Sequence, residues 1–284
     1  VSYEKNKLPK VNLLTGEKGS GKFSLVLHFL NYVFLKSNYD LNNKQILNNL
    51  NFNDLLEKNI HQNILIINNE DTSTKINEIR ELKKKLLKSS LNSLPRFIIL
   101  DNVDNFNTNS SNALLKALEE PSINDYFFLI NNKKEPLIET IKSRCIETKI
   151  FIKNNVKSDI IRNMLQKFNI VEFLNSNKSY ITPGIFLKFN YLCEVNNINI
   201  NENLDTNVTK LILLFKKNKE KIFINLAIYL IEEHFKKISN KVNVNHLKLN
   251  SKKILTIQKI NDLLQYNLNT NVIINSISSE INNV

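Results

Sequence analysis

Short apolar runs alternate with amphipathic stretches through the first half of the chain, and the alternation stops near residue 150. Val11–Leu14, Ile64–Ile67, Phe97–Leu100 and Tyr126–Ile130 are blocks of branched and aromatic side chains with the length and composition of buried strands, and a further block lies near Thr148–Ile152. Between them Lys22–Leu35, Lys75–Leu87, Ser110–Leu118 and Pro136–Ile141 space their apolar residues three and four apart, as a helix with one buried face does. Strands alternating with helices predict a parallel sheet covered on both faces, so residues 1–150 read as one α/β domain. Residues 40–62, rich in Asn and Leu, read as a helical or irregular insertion.

Beyond Phe151 the strand signal fades and helical spacing takes over. Val156, Ile160, Ile161, Met164 and Leu165 mark one helix, and Thr182-Pro183-Gly184 is a turn leading into another that carries Phe186 and Leu187. The asparagine-rich residues 195–207 read as a linker. Further amphipathic stretches follow near Val208–Lys217, Glu220–Ile238 and Ser251–Tyr266. The pattern predicts a small helical unit over 151–200 and a helical bundle over 206–284, whose apolar faces serve either a core or an assembly.

Chemistry enters through glycine. The chain has four glycines, and Gly16, Gly19 and Gly21 fall in one short window before Lys22. Thr15-Gly16-Glu17-Lys18-Gly19-Ser20-Gly21-Lys22 has the spacing of a phosphate-binding loop, in which backbone N–H groups face phosphate oxygens and the lysine reaches the outer phosphates. A predicted strand precedes it and a predicted helix follows, as such a loop requires. The position after the lysine should carry a hydroxyl for Mg²⁺ but holds Phe23, with Ser24 one place on. One helical step turns a side chain by about 100°, so Ser24 is not a simple substitute. The expected ligand-contacting set is therefore Gly16, Gly19, Ser20, Gly21, Lys22, Phe23 and Ser24, holding ATP or ADP in a degenerate site poorly equipped for metal. A plain glycine turn without a ligand is the alternative.

Phe97-Ile98-Ile99-Leu100-Asp101 is an apolar strand ending in a carboxylate, the arrangement that sets an acidic side chain beside a phosphate loop. Hydrolysing proteins of this architecture follow it with a glutamate that activates water; here Asn102 follows, and an amide takes no proton at neutral pH. Asp104 would need a different backbone path to replace it. Phe23 and Asn102 together describe a nucleotide site kept in shape without catalysis.

A net charge of +12 is compatible with nucleic acid nearby. Its weight is reduced by composition: only four of 39 basic residues are arginine (Arg80, Arg96, Arg144, Arg162), and asparagine and isoleucine are abundant, a profile that coding bias can produce. The run Lys83-Lys84-Lys85-Leu86-Leu87-Lys88 reads as a solvated helix face. Cys145 and Cys193 form no CxxC pair, His28, His61, His234 and His246 show no metal spacing, and no zinc is expected. No apolar run approaches the ~18 residues of a membrane span, so the expectation is a soluble, cytoplasmic protein without membrane contact.

Three segments carry a resemblance. Asn112-Ala113-Leu114-Leu115-Lys116-Ala117-Leu118-Glu119-Glu120-Pro121, then Phe127-Phe128-Leu129-Ile130, then Leu137-Ile138-Glu139-Thr140-Ile141-Lys142-Ser143-Arg144-Cys145 follow the strand bearing Asp101 in the order of the bacterial clamp-loader branch of the AAA+ ATPases. The chain resembles that family over residues 8–150, and beyond them in architecture only. Ile76-Asn77-Glu78-Ile79-Arg80-Glu81-Leu82 also matches the place of a family helix.

The resemblance implies a AAA+ domain, a helical lid and a C-terminal collar. Its departures resemble the subunit type that keeps Ser-Arg-Cys while its own nucleotide site has decayed. Arg144 would then be an arginine finger, reaching the γ-phosphate of ATP held by a neighbouring motor subunit. The implied partners are motor subunits and a delta subunit, with the sliding clamp reached indirectly and primed DNA within the assembly. The usual cysteine-rich zinc module is missing. Ile185, Phe186 and Leu187 stand where active members place a second sensor arginine, with Lys188 the nearest cation, and Asn131 and Asn132 stand where a polar sensor is expected. Glu119 and Glu120 are expected to make subunit or capping contacts. The alternatives are a motor-type subunit hydrolysing its own ATP and a basic DNA-binding protein.

Overall fold

The protein was described from a computed structural model covering residues 3–5, 7–36, 39–43, 45–47, 61–68, 76–87, 94–133, 135–175, 180–200, 202–240, 246–266 and 269–282. Its contacts divide it into two units, one of residues 1–160 with 180–185 and one of 161–179 with 186–284.

The first unit is built on a five-stranded sheet. In chain order the strands and helices are β1 (Val11–Thr15), α1 (Lys22–Phe34), the two-residue strands β2 (Tyr39–Asp40) and β3 (Gln45–Ile46), β4 (Ile64–Asn68), α2 (Ile76–Leu86), β5 (Arg96–Asp101), α3 (Thr108–Glu119), β6 (Asp125–Asn131), α4 (Glu139–Lys142) and β7 (Ile146–Lys149). The sheet order is β4-β5-β6-β1-β7, with every pairing parallel. Parallel strands buried on both faces read as continuous apolar runs, and β5 is buried at every position. One face packs Leu13, Ile98, Leu100, Phe127 and Leu129 against α2, α3 and α4. The other sets Phe97, Ile99, Phe128 and Ile130 against α1, where Tyr3, Phe29, Phe34 and Tyr126 surround Phe97 with ring centroids 5.5–6.2 Å away.

Because all five strands run the same way, their carboxyl ends gather Thr15, Asn68, Asp101 and Asn131 along one edge of the sheet. That edge positions the candidate chemistry.

Several boundaries differ from the sequence expectation. The last strand lies at Ile146–Lys149 rather than near 148–152, and beyond it the Ile150 N–H donates to the Thr15 carbonyl. The helix expected at 136–141 is reduced to Glu139–Lys142. Tyr39–Asp40 and Gln45–Ile46 form a short antiparallel pair, while 44 and 48–60 of the expected insertion lie outside the described residues.

The second unit is helical. α5 (Asn154–Phe168) and α6 (Pro183–Val195) contribute to it, followed by α7 (Leu204–Asn218), α8 (Lys221–Ser239), α9 (His246–Tyr266) and α10 (Thr270–Asn282). α7 packs on α8, α8 on α9, α9 on α10 and α10 back on α7, closing a four-helix arrangement around Leu211, Ile224, Ile231 and Ile260. α10 escaped the sequence reading; its buried Ile273 and Ile277 lie four apart, on one face of the helix. The expected linker at 195–207 is shorter than read: α6 reaches Val195, α7 starts at Leu204, and between them Ile198 is buried and Asn207 reaches back to the Asn199 carbonyl at 2.8 Å. Asn190 is wholly buried, with its carbonyl accepting from the N–H groups of Phe173 and Leu174 and its amide donating to Phe186.

Candidate functional site

The glycine-rich loop leaves the end of β1 and enters α1 directly. Gly19 adopts φ +81°, and a Cβ there would lie 2.4 Å from the Thr182 hydroxyl and 2.8 Å from the Ile185 nitrogen. Only a residue without a side chain fits both constraints. At Gly16 the reason is close approach alone, because a Cβ would stand 2.3 Å from the Ile150 carbonyl oxygen. The loop's apex is tied down from the far end of the unit: the Thr182 hydroxyl donates to the Lys18 carbonyl at 2.6 Å, and the Gly184 N–H to the Gly19 carbonyl at 3.0 Å. The fourth glycine of the chain thus serves the same loop as the other three.

Lys22 is 3% exposed and folds back over this loop. Its ammonium donates to the Gly16 carbonyl at 2.8 Å, the Glu17 carbonyl at 2.7 Å and the Ser20 hydroxyl at 3.3 Å. Three donors meet three acceptors. Burial pulls its pKa down to about 8, and the carboxylates of Asp101 and Asp104 oppose the fall.

Phe23 packs against the apolar layer on the α1 face of the sheet, while Ser24 is exposed. Phe23 and Ser24, included in the expected ligand-contacting set, therefore lie against the apolar layer and in solvent.

At the sheet's carboxyl edge the polar residues bond to one another. Asn102, 1% exposed and left-handed at φ 55°, donates its amide to Asn68 at 3.0 Å and accepts from the Asn132 amide at 2.9 Å. Asp101 accepts from the Asn102 backbone N–H at 2.8 Å, and Asp104 accepts from that of Asn132 at 3.0 Å. Asn131 continues the edge, its carbonyl accepting from the Gly16 N–H and its side chain from the Lys133 N–H. The loop, Asp101 and the sensor positions are thereby brought to one edge, and the position where a general base would act carries an amide with both ends engaged.

Arg144 sits apart from this edge, on the turn after α4. Its guanidinium pairs with Glu119 at the end of α3 through Nε at 2.8 Å and through a second nitrogen, and donates to the Thr140 carbonyl at 2.6 Å and the Ser143 hydroxyl at 3.3 Å. The Arg144 side chain is 28% exposed and that of Glu119 46%. Glu119, read from the sequence as a subunit or capping contact, is the intramolecular partner of Arg144.

Two features were missed by sequence reasoning. Arg96 opens β5 fully buried and grips Asp125 with two 2.8 Å bonds, while its other donors reach the Lys85 and Leu86 carbonyls at the end of α2. Only a planar fork serves a carboxylate and a helix terminus at once. Its signal was available: it is one of four arginines in a lysine-rich chain, placed just before the strand that ends in Asp101. The other is a cavity flanking the loop, lined by Lys149 and Lys157, which no motif announced. Cys145 and Cys193 are unpaired thiols, raised by burial to about 11 and about 12, and so stay protonated. Among the described residues no group of His, Cys, Asp and Glu converges as for a metal ion, and no helix is long and apolar enough to cross a membrane.

A parallel sheet of order β4-β5-β6-β1-β7, a glycine-rich loop after its second strand from the edge and an acidic strand end define a P-loop domain of the AAA+ type. The family profile described as "DNA polymerase III, delta subunit" matches residues 1–154, and the chain belongs to that family. Within it the chain is similar to curated delta' subunits. The DNA polymerase III subunit delta' of Buchnera aphidicola subsp. Schizaphis graminum is 30% identical over 173 residues, covering 57% of this chain and 52% of the relative. That of Bacillus subtilis is 29% identical over 145 residues, covering 51% and 43%. The chain therefore matches about half the length of these curated relatives. In fold it is similar to a DNA polymerase III gamma subunit-related protein from Thermotoga maritima, with a TM-score of 0.52 at 18% identity over 95% of this chain and 93% of the other.

Proposed function

We propose that this chain is a clamp-loader subunit that does not hydrolyse ATP itself and acts within a replication assembly by lending Arg144 to ATP held by a neighbouring motor subunit. The observation that carries the reading is Asn102. An amide takes no proton from water at neutral pH, and this one is 1% exposed and held in place by donating to Asn68 and accepting from Asn132. Phe23 in the apolar layer and Ser24 in solvent support the same conclusion for the metal. Gly16, Gly19, Ser20, Gly21 and Lys22 keep the shape of a phosphate cradle, so ATP or ADP bound there would persist.

Arg144 suits a role in trans because it lies at the surface with a partner, Glu119, that is itself 46% exposed. A half-exposed ion pair contributes about 0–1 kcal/mol, whereas a phosphate offers three charged oxygens to the same fork. Glu119 orients the guanidinium at the surface, and exchanging it for a partner's phosphate costs little. In this reading residues 151–200 form a lid and 206–284 a collar. The exposed Leu213, Leu247, Ile254 and Val272 supply apolar surface for assembly with motor and delta subunits, through which the sliding clamp is placed on primed DNA.

Reconstitution with gamma-type motor subunits tests it. Arg144→Ala is expected to lower the partners' clamp-stimulated hydrolysis by about 10³-fold, as removal of such a finger does elsewhere. Glu119→Gln, which leaves the arginine in place, is expected to retain it. Unchanged partner hydrolysis in Arg144→Ala, or turnover by the purified chain that Lys22→Ala abolishes, refutes the proposal.

A further inference from the structure

Among the described residues β4 pairs with β5 alone and so forms one edge of the sheet. Alternate residues of a parallel strand turn their N–H and C=O groups to the same side, and the Asn63 carbonyl accepts from the Phe97 N–H on β5. Leu65 and Ile67 therefore face β5, while Ile66 and Asn68 turn their backbone groups outward, where no strand among the described residues meets them. Sheet edges are commonly guarded against pairing by a charge, a proline or a bulge. The opposite edge, β7, is guarded: Glu147 and Lys149 are both exposed on it. β4 reads Ile64-Leu65-Ile66-Ile67-Asn68 in unbroken register with β5, without charge, proline or bulge, and its three central residues are half-buried. A groove of about 290 Å³ runs beside it, walled by α2. α2 runs back along β4 to lead into the parallel β5, so its charges are ordered along the groove. Lys85 lies at the Ile64 end, its carbonyl held by Arg96 at the start of β5, and Glu81 and Glu78 follow toward Asn68. Lys85 and Glu78 are separated by about 10 Å of helix, close to the roughly 13 Å that β4 spans.

We propose that the β4 edge docks an extended segment of another protein as a sixth strand, β-branched at alternate positions, with an acidic residue opposite Lys85 and a basic one opposite Glu78 and Glu81. The outward N–H and C=O groups of Ile66 and Asn68 supply main-chain hydrogen bonds, which hold any strand of matching length. The groove charges choose among such strands and fix the direction in which one lies, because reversing it sets like charges against each other. Only an extended backbone meets donors and acceptors spaced two residues apart along a strand, so a helix or a rigid surface does not fit. A second copy of this chain is a poorer occupant, since two molecules of net charge +12 repel each other. The inference rests neither on the nucleotide site nor on Arg144.

Amide hydrogen exchange of the full chain, followed by NMR during titration with a synthetic peptide, tests it. The peptide alternates valine and threonine, with glutamate at one end and lysine at the other. At a concentration tenfold above its Kd, exchange at the Ile66 and Asn68 amides is expected to slow by roughly tenfold, while the Leu65 and Ile67 amides, already bonded to β5, stay unchanged. The same peptide interrupted by a central proline is expected not to bind. Ile66→Pro removes an outward N–H without touching the β5 ladder and is expected to weaken binding by roughly tenfold or more. Should that variant fold poorly, Glu81→Lys, at an exposed position, is expected to weaken binding, and a peptide with glutamate in place of its lysine to restore it. A structural role for Glu81 would give no such rescue. Equal binding of the proline peptide, uniform slowing along β4 or no binding at millimolar peptide overturns the docking edge. Slowing at Ile66 and Asn68 that needs no peptide and grows with protein concentration assigns a second copy and overturns the partner.

Discussion

Asn102→Glu installs the carboxylate that hydrolysing proteins of this architecture place after the strand aspartate. Comparison with such proteins would suggest that the change restores an ATPase. The structure predicts damage instead. Asn102 is 1% exposed, donates to Asn68, accepts from Asn132 and lies beside Asp101 and Asp104. The substitution removes one donor, strands the Asn68 carbonyl and sets a third carboxylate among two, with Lys22 held by its own loop. Losing a hydrogen bond with a buried partner costs about 1–3 kcal/mol, and an unpaired buried charge raises the total to about 3–5 kcal/mol. Burial and like charge raise the new acid's pKa in the folded state. A group whose acidity is weakened by folding destabilises progressively as pH rises above its unfolded value of about 4.3, so the loss is smaller at pH 5 than at pH 8. Urea unfolding at the two pH values, with phosphate release by the purified variant, measures both claims. A variant as stable as its parent at pH 8 that turns over ATP would refute the reasoning, showing that the site is one residue from activity.

The buried Arg96 fork gives a second expectation: Arg96→Lys keeps the charge but not the geometry and should cost about 3 kcal/mol or more in denaturant unfolding, because Asp125 loses its bidentate partner and the end of α2 its donors. The loop glycines should separate by surroundings. Gly21→Ala meets open space at φ +85° and should cost about 1 kcal/mol, whereas Gly19→Ala adds a collision with Thr182 and Ile185 and should cost about 3 kcal/mol, as thermal unfolding would register. The pKa of Lys22, drawn down to about 8 by burial, makes the unfolded chain bind more protons than the folded one between about pH 8 and 10.5. Stability should therefore gain up to about 2–3 kcal/mol across that window relative to Lys22→Met, and parallel pH profiles of the two proteins would contradict it.

Much of this molecule was legible along its sequence because it depends on local chemistry. Apolar blocks of strand length, amphipathic spacing between them and glycine where the backbone must bend announced the sheet, its helices and the loop. The two departures, Phe23 and Asn102, were readable as residue types that cannot hold a metal or take a proton. What required the tertiary structure was the set of partners. Parallel strands bring Asn68, Asp101, Asn102 and Asn132 from three separate segments to one edge, and only that register shows the amide of Asn102 already committed at both ends. Arg144 and Glu119 are 25 residues apart, and Gly184 is 165 positions beyond the Gly19 carbonyl it bonds. The cavity beside the loop owes its charge to lysines from three different elements, indistinguishable in a lysine-rich chain. Residue type sets what a side chain can do; which groups compete for it is decided by contacts that chain order does not encode.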